Sequence, residues 1–595
     1  MIRFLIAFLF CLPLTAQDYW VVPGGAGTQD GLTEANAFDQ PNDALALAQP
    51  GEVIAIKAGD YNDIEIITVR SGTSGNPIQI IGYTTTFGDI VASNGPTFSK
   101  TDWENQGFGT PTNTGMPYLN FESRNLDPGS GDRPIQVFHD WIEIHNIVSA
   151  FGRTNIRNEG QNNVFNNIVM YKAGYWVPDP GNLINPVDEP WNNTQGAWTP
   201  FISGYGFYQA VGTGNTTITN CISMDNGLVN YFFADDNGSN TVQHSYSLQH
   251  EPGAGTDYGF DFFNSSNNVI EDCYAERYYT GSIGHVGRGI IFQNYADNNI
   301  VRRFTAVNLK VVIENAVSNY IEDITMTGNA PSPVTNADYA SIQIYGNAQF
   351  NVVNRFLIQG GNGIEILNTS TDRPPLTPYE RAAQDNYFLN GIIRDPAGFG
   401  TTSVLHMRFL SNNVSIASRR NYLINSVVEG SFSRFTRVSF NGGDFTFINC
   451  NFSGFTTPLF DIFASGATTY DYEFINCNDD PGDNLTFPSN SFNTLTNSIN
   501  LPSQFLDANY TIAEGSNLHD AGVEPTFPGI VTPPTAATIL GYLSTDYYGN
   551  TRPQGTGWDI GIFESGGASP PVNPPGVTPS SRSAIKALKI ISVLD

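Results

Sequence analysis

Four cysteines occupy one and the same place in a repeated phrase of this sequence. Cys221 closes TTITNC, Cys273 closes NVIEDC, Cys450 closes FTFINC and Cys477 closes YEFINC, each three residues after a hydrophobic position. The frame returns without cysteine at Ile168, Phe304, Ile324, Phe356, Gly391 and Ser426. Copies recur about 20 to 35 residues apart, and such a period with strand-like alternation marks a solenoid whose repeat is one coil. The interval from Ile168 to Cys221, 53 residues, is the exception and predicts an insertion.

A shared frame points its residues inward and stacks them along one axis, where the cysteines serve as small apolar core residues. Cys221 and Cys273 are separated by the coil of Ser245, too far for a bond when coils stack about 4.8 Å apart. Cys450 and Cys477 belong to neighbouring coils and are the pair able to bridge. The second strand of successive coils reads GFDFFN (259–264), GIIFQN (289–294), KVVIEN (310–315), SIQIYG (341–346), GIEILN (363–368) and VLHMRF (404–409). Alternation by two sends Phe260, Ile290, Val311, Ile342 and Ile364 inward, and Asp261, Ile291, Val312, Gln343 and Glu365 outward. Asn264, Asn294, Asn315 and Asn368 at the strand ends suit left-handed turns and side-chain ladders.

Helix-favouring stretches are few, which suits an all-β chain. The opening MIRFLIAFLFCLPLTAQ has Arg3, an apolar run from Phe4 to Leu14 and a small residue at Ala16. These are the parts of a secretory signal over 1–17, so a monomeric, exported protein is expected, at the cell surface, in the periplasm or outside the cell. No later run is apolar enough for a membrane span. The formal net charge of −29 argues against nucleic acid and anionic membranes as partners. A polyanionic substrate would need a local basic patch or a cation.

The segment after the signal contains the strand YWVVP, a short helix around Pro41 to Ala48, the turn and strand PGEVIAIKAGDY, and SGTSGNPIQIIGY. It resembles the opening of secreted right-handed parallel β-helix proteins, the superfamily of pectate and alginate lyases and several glycoside hydrolases. The resemblance implies that the helix caps the open end of the solenoid and covers unpaired strand edges. It extends to YYGNTRPQGTGWDIGIFE (547–564), which is similar to the closing segment of that superfamily. The organisation expected is a β-helix domain over 18–565, a loop insertion at 171–209, a Pro-rich linker at 566–581 and a short tail at 582–595. The resemblance carries fold and substrate class only. No alginate-lyase lysine and arginine motif, no DPHE motif and no pectate-lyase calcium cluster is present.

Chemistry is best sought between 257 and 314. From Arg277 to Lys310 there are Arg277, Arg288, Arg302, Arg303, Lys310 and His285 against one acid, Asp297. In a chain this acidic, the inversion predicts a site for a carboxylate or sulfate. In β-elimination a base takes the proton α to a uronate carboxylate whose charge is neutralised by Ca²⁺ or by Arg and Lys. Lys310, Arg288 and His285 would supply base and neutraliser, and Tyr279 the acid. In hydrolysis two carboxylates flank the scissile bond, about 5 to 10 Å apart. Asp257 and Asp261 share a strand, with Glu314 and Glu365 on later coils.

Arg277, Tyr278 and the insertion aromatics Tyr175, Trp176, Trp191 and Trp198 are candidates to bind sugar rings or their charges. Asp235 and Asp236, with Asp257, are candidate Ca²⁺ ligands through oxygen. A later Arg-rich run (Arg394, Arg408, Arg419, Arg420, Arg434, Arg437) either extends a groove or pairs with acids. The functional expectation is a polysaccharide lyase acting on an acidic glycan. The alternatives are a glycoside hydrolase with paired carboxylates and a non-catalytic glycan-binding solenoid. Bland readings stand beside these: His285 as a loop hydrogen-bonder, Asp261 and Glu365 as solvated ladder positions.

Overall fold

The computed structural model describes residues 17–112, 114–123, 133–174, 204–250, 258–278, 287–328, 341–360, 363–368, 383–395, 403–409, 420–430, 434–439, 444–454, 460–463, 471–481, 493–506, 509–527 and 534–566. Every pairing between its strands is parallel, and the strands fall into two stacked arrays. The smaller array climbs through Thr154–Asn158, Tyr205–Gln209, Val229–Ala234, Tyr258–Phe263, Arg288–Gln293, Lys310–Glu314, Ile342–Tyr345 and Ile364–Asn368, each bonded to the one before. The larger array takes the rest of each coil. This is a parallel β-helix.

The repeated frame superimposes in space. Val169 pairs with Ile222, Ile222 with Tyr246 and Tyr246 with Tyr274, which stacks Ile168, Cys221, Ser245 and Cys273 one position earlier. The same register carries Phe304, Ile324, Phe356, Gly391, Ser426, Cys450 and Cys477 up the axis. All four cysteines are buried and unpaired, so Cys450 and Cys477 do not bridge. Burial pushes the thiols of Cys221 and Cys273 up to about 12, which leaves them without thiolate reactivity.

One residue before the frame, the chain turns a corner in the left-handed conformation. Asn146, Asn167, Asn220, His244, Asp272, Arg303, Asp323, Arg355, Asn390, Asn425, Asn449 and Asn476 all have φ between 48° and 59°. Asn and Asp tolerate this region through local side-chain hydrogen bonding, whereas Arg and His enter it at a cost. Ion pairs offset that cost here. Arg303 binds Asp272 through two bonds of 2.7 and 2.8 Å, and Arg355 binds Asp323 at 2.7 and 3.0 Å.

The double-Asn turns hold a second device. Asn267 and Asn298 take the left-handed bend, and the asparagine after each turns into the core. There Asn240, Asn268, Asn299, Asn319, Asn351, Asn386 and Asn421 form a ladder, each amide donating to the next carbonyl oxygen at 2.8–3.1 Å. Polar side chains are admitted to the interior because each donor and acceptor meets its copy one coil away. Asn264, Asn294 and Asn315 are left-handed as expected, but the ladder runs through the other turn.

The inward set is as the alternation predicts. Phe260, Ile290, Val311, Ile342 and Ile364 lie in one continuous core. Rings stack along it, Tyr231 on Phe260 at 4.7 Å and Phe233 on Phe262 at 4.6 Å. Helix α1 (Pro41–Leu47) has proline in its first turn and buries Ala44 and Leu45 against the first coils.

The outer face of the larger array is covered twice. Helix α2 (Lys100–Asn105) is held by a Ser99–Asp102 capping box and drives Trp103 into a cluster with Val169, Ile222 and Leu248. Helix α3 (Ala536–Leu543) stacks Tyr542 on Tyr320, while Phe527 meets Tyr387 and Tyr422 edge-on. The segment 547–564 lies along this flank, with Tyr547 and Ile562 against Leu357, Ile392 and Val427.

The insertion needs correction. Tyr171 completes strand Val164–Tyr171, and Tyr205–Gln209 is a strand between Thr154–Asn158 and Val229–Ala234. The segment 175–203, with Tyr175, Trp176, Trp191 and Trp198, lies outside the described residues.

Candidate functional site

The outward column of the smaller array runs in strict register through Gln136, Arg157, Tyr208, Phe232, Asp261, Ile291, Val312, Gln343 and Glu365. Its first half is half-buried and aromatic. Tyr205 stacks on Phe232 at 5.1 Å with rings 9° apart, and Tyr208 and Phe263 flank Phe232. Its second half is buried, with the polar Asp261, Gln343 and Glu365 all under 9% exposed and Ile291 and Val312 between them.

Three of the six basic residues between 277 and 310 meet at one corner of this face. Arg288 and Lys310 are register partners with a bulge beside them. Arg277, which ends strand Tyr274–Arg277, passes over Gly287: a Cβ there would fall 2.8 Å from its Nη1. Gly287 accepts the Lys310 backbone N–H at 3.1 Å, and its missing side chain leaves room for Arg277. The Arg288 guanidinium lies over the Tyr258 ring at 4.6 Å.

Lys310 and Arg277 are only 5% exposed. The Lys310 ammonium donates to Glu365 Oε2 at 3.0 Å, and the same oxygen accepts from Gln343 at 3.1 Å and Ser341 at 3.3 Å. Asp261 Oδ1 accepts from Gln293 at 2.8 Å. Glu314 pairs in register with Gln293, two residues beyond the Asp261 column. These carboxylates are dispersed. Asp261 and Glu365 are four strands apart, on the order of 19 Å at the usual strand spacing.

The remaining candidates go elsewhere. Arg302 and Arg303 stand on the larger array and pair with Glu271 and Asp272, so the basic stretch is split between two faces. Tyr278 sits beneath α2 among Trp103, Phe108 and His250, its hydroxyl donating to Glu104 at 3.1 Å. Asp235 accepts from Asn264 at 2.7 Å. Asp236 accepts from the Gly238 N–H at 2.9 Å and the Asn240 amide at 2.6 Å, closing one end of the ladder. Burial raises its pKa. A calcium ion takes six or more oxygens, and both carboxyl oxygens of Asp236 are already engaged within the fold. Asp257, Tyr279 and His285 lie outside the described residues.

Of the later arginines, Arg420 is bonded to Asp385 at 2.6 and 2.7 Å and Arg394 to Gln359 at 2.8 Å. Sequence reasoning missed Tyr205, Tyr208 and Phe232. The alternation in YGFYQ marks the first two once that segment is recognised as a strand.

No family model matches the chain, and no curated protein matches it. Among solved structures it is similar to a pectate lyase at 14% identity and TM-score 0.29, over 92% of this chain and 96% of that one. A mannuronic acid specific polysaccharide family 6 lyase from human gut microbiota aligns at 12% identity and TM-score 0.38, over 69% and 85%. The A-module of an Azotobacter vinelandii mannuronan C-5 epimerase aligns at 12% identity and TM-score 0.36, over 72% and 92%. By its own strand pairing, this chain is a parallel β-helix with a cationic corner at the end of an aromatic floor.

Proposed function

We propose that the protein is an exported polysaccharide lyase, and that the outer face of the smaller array binds an acidic glycan and cleaves it by β-elimination. The observation that carries the reading is the placing of Arg277, Arg288 and Lys310 in neighbouring coils, Arg277 by its side chain and Lys310 by its backbone N–H at Gly287, in a chain of net charge −29. Cations set in a buried corner act on a uronate carboxylate more strongly than they would in water, and they stabilise the charge that develops when its α-proton leaves. Arg288 and Lys310 neutralise that carboxylate. His285, three residues before Arg288, takes the proton, and Tyr279 protonates the leaving oxygen. Tyr258 and Phe232 carry the preceding sugars.

Hydrolysis by Asp261 and Glu365 as the pair is disfavoured by spacing. Asp261 and Glu365 stand well beyond the roughly 5–10 Å that glycosidase pairs span. Elimination leaves a double bond conjugated to the carboxylate, so the test is ultraviolet absorbance on incubation with polygalacturonate, alginate and sulfated polymers. Absorbance that grows in wild type and vanishes in Arg288→Ala supports the lyase. New reducing ends without absorbance would replace it with a hydrolase, and retained binding without any product would replace it with a binding solenoid.

A further inference from the structure

A second group of cations lies on the same face, among residues far apart in sequence. Arg157 is the outward residue of strand Thr154–Asn158, and its guanidinium lies 5.8 Å from the centre of the Tyr208 ring. Arg133 precedes strand Ile135–Val137, whose Ile135 pairs with Ile156, so Arg133 stands at the start of the coil beneath Thr154. Gly152 packs on Pro134, which brings Arg153 beside Arg133. Arg133 feels the positive charge of both Arg157 and Arg153, and burial with that repulsion lowers its pKa.

Among the described residues, acids near this group include Glu159, which is ion-paired with Arg157, and Asp235, which faces Tyr208 and accepts from Asn264. Glu159 also attracts Arg133, and the buried Arg133 Nε has no hydrogen-bond partner among the described residues. A half-buried guanidinium held beside two others costs stability unless an anion completes it. Arg133 and the Arg288 corner bracket the aromatic floor. Thr154, Tyr205, Val229, Tyr258 and Arg288 follow one another in register above Arg133, so the two cationic groups are roughly 24 Å apart at the usual strand spacing.

We propose that Arg133, Arg153 and Arg157 form a second anion subsite, which seats a carboxylate or sulfate of the glycan several sugar units from the Arg277–Arg288–Lys310 corner. The ligand is then a polymer charged along its length, lying across the coils with neutral ring faces on Tyr205, Phe232 and Tyr258. This inference rests on the glycan reading of the face, and the two fail differently. Affinity electrophoresis in the cold with polygalacturonate, dextran sulfate and uncharged dextran separates the carboxylate and sulfate sources. Wild type is expected to be retarded by at least one polyanion and not by dextran. Arg133→Gln should weaken that binding tenfold or more without lowering the melting temperature, and Arg133→Lys should recover part of it. If Arg133→Gln melts early, Arg157→Gln at the more open side gives the same readout. Retardation equal to wild type in both glutamine variants, or none of wild type by either polyanion, overturns the subsite. Product formation with unweakened variants removes the subsite and leaves the lyase. Weakened binding with no product from any polymer does the reverse.

Discussion

At the corner of the larger array Arg303 and Arg355 each face an aspartate one coil earlier, through paired bonds of 2.7 to 3.0 Å. Around the smaller array Arg133 lies near Arg153 and Arg157, while Arg288 and Lys310 are register partners and Arg277 reaches over Gly287 from the end of a strand of the larger array. The first arrangement is self-sufficient. Each guanidinium helps hold a left-handed corner and is satisfied within the solenoid. The second sets several cations close to one another beside aromatic rings, with acids such as Glu365 and Glu159 among them.

The contrast breaks most readily at Lys310. Lys310→Ala should reduce turnover by about 10²–10⁴-fold, the usual range for losing a positioned catalytic group. It should also cost about 3–5 kcal/mol in urea unfolding, because Glu365 is left buried without its partner. The double variant Lys310→Met/Glu365→Gln should regain most of that stability and none of the turnover. Activity in the double variant would remove Lys310 from the mechanism.

Next in size is Asn319→Leu, which interrupts the ladder between Asn299 and Asn351. A loss of about 1–3 kcal/mol is expected by chemical denaturation, with glycan binding unchanged in the folded protein. Gly287→Ala is smaller in stability and sharper in function. Its methyl group meets Arg277 Nη1 and Leu309 Cδ2, both ends of movable side chains, so the fold adjusts while Arg277 is displaced. KM for the polymer should rise severalfold with the melting curve nearly unmoved.

The smallest effects belong to the matched arginines. Arg303→Ala should cost under about 1 kcal/mol, since the pair is partly exposed, and should leave binding and turnover alone. Its pH dependence has a defined sign. The Arg303 hydrogen bonds hold Asp272 below the usual carboxylate range. Its contribution is therefore complete above the unfolded value near 3.9 and is lost as pH falls through the lower folded value. Glu564 behaves oppositely. Burial raises it to about 7, so the fold binds an extra proton and loses stability as pH rises from about 4.5 towards 7. Glu564→Gln should flatten that decline in thermal melts.

Much of this architecture could be read from the chain. The cysteine frame set the register, because its position faces the core and takes a small or apolar residue at every coil. The alternation in 259–368 assigned inward and outward residues correctly for the same reason. What could not be read was which basic residues meet. Arg302 and Arg303 lie nearer to Lys310 in sequence than Arg288 does, yet the coil turns between Arg288 and Arg302 and sends them to different faces. Arg133, Arg153 and Arg157 show no motif. Their grouping depends on Ile135 pairing with Ile156 and on Gly152 admitting Pro134. The strand Tyr205–Gln209 was hidden because it follows directly on a Pro- and Trp-rich segment.

The most direct test is a crystal of the protein soaked with an acidic oligosaccharide long enough to cross five coils. Density is expected over Tyr205 and Tyr258, with one acidic group at Arg133 and another at Arg288. Sugar seated on the larger array, beside Arg303 and Arg355, would contradict the division of the two faces.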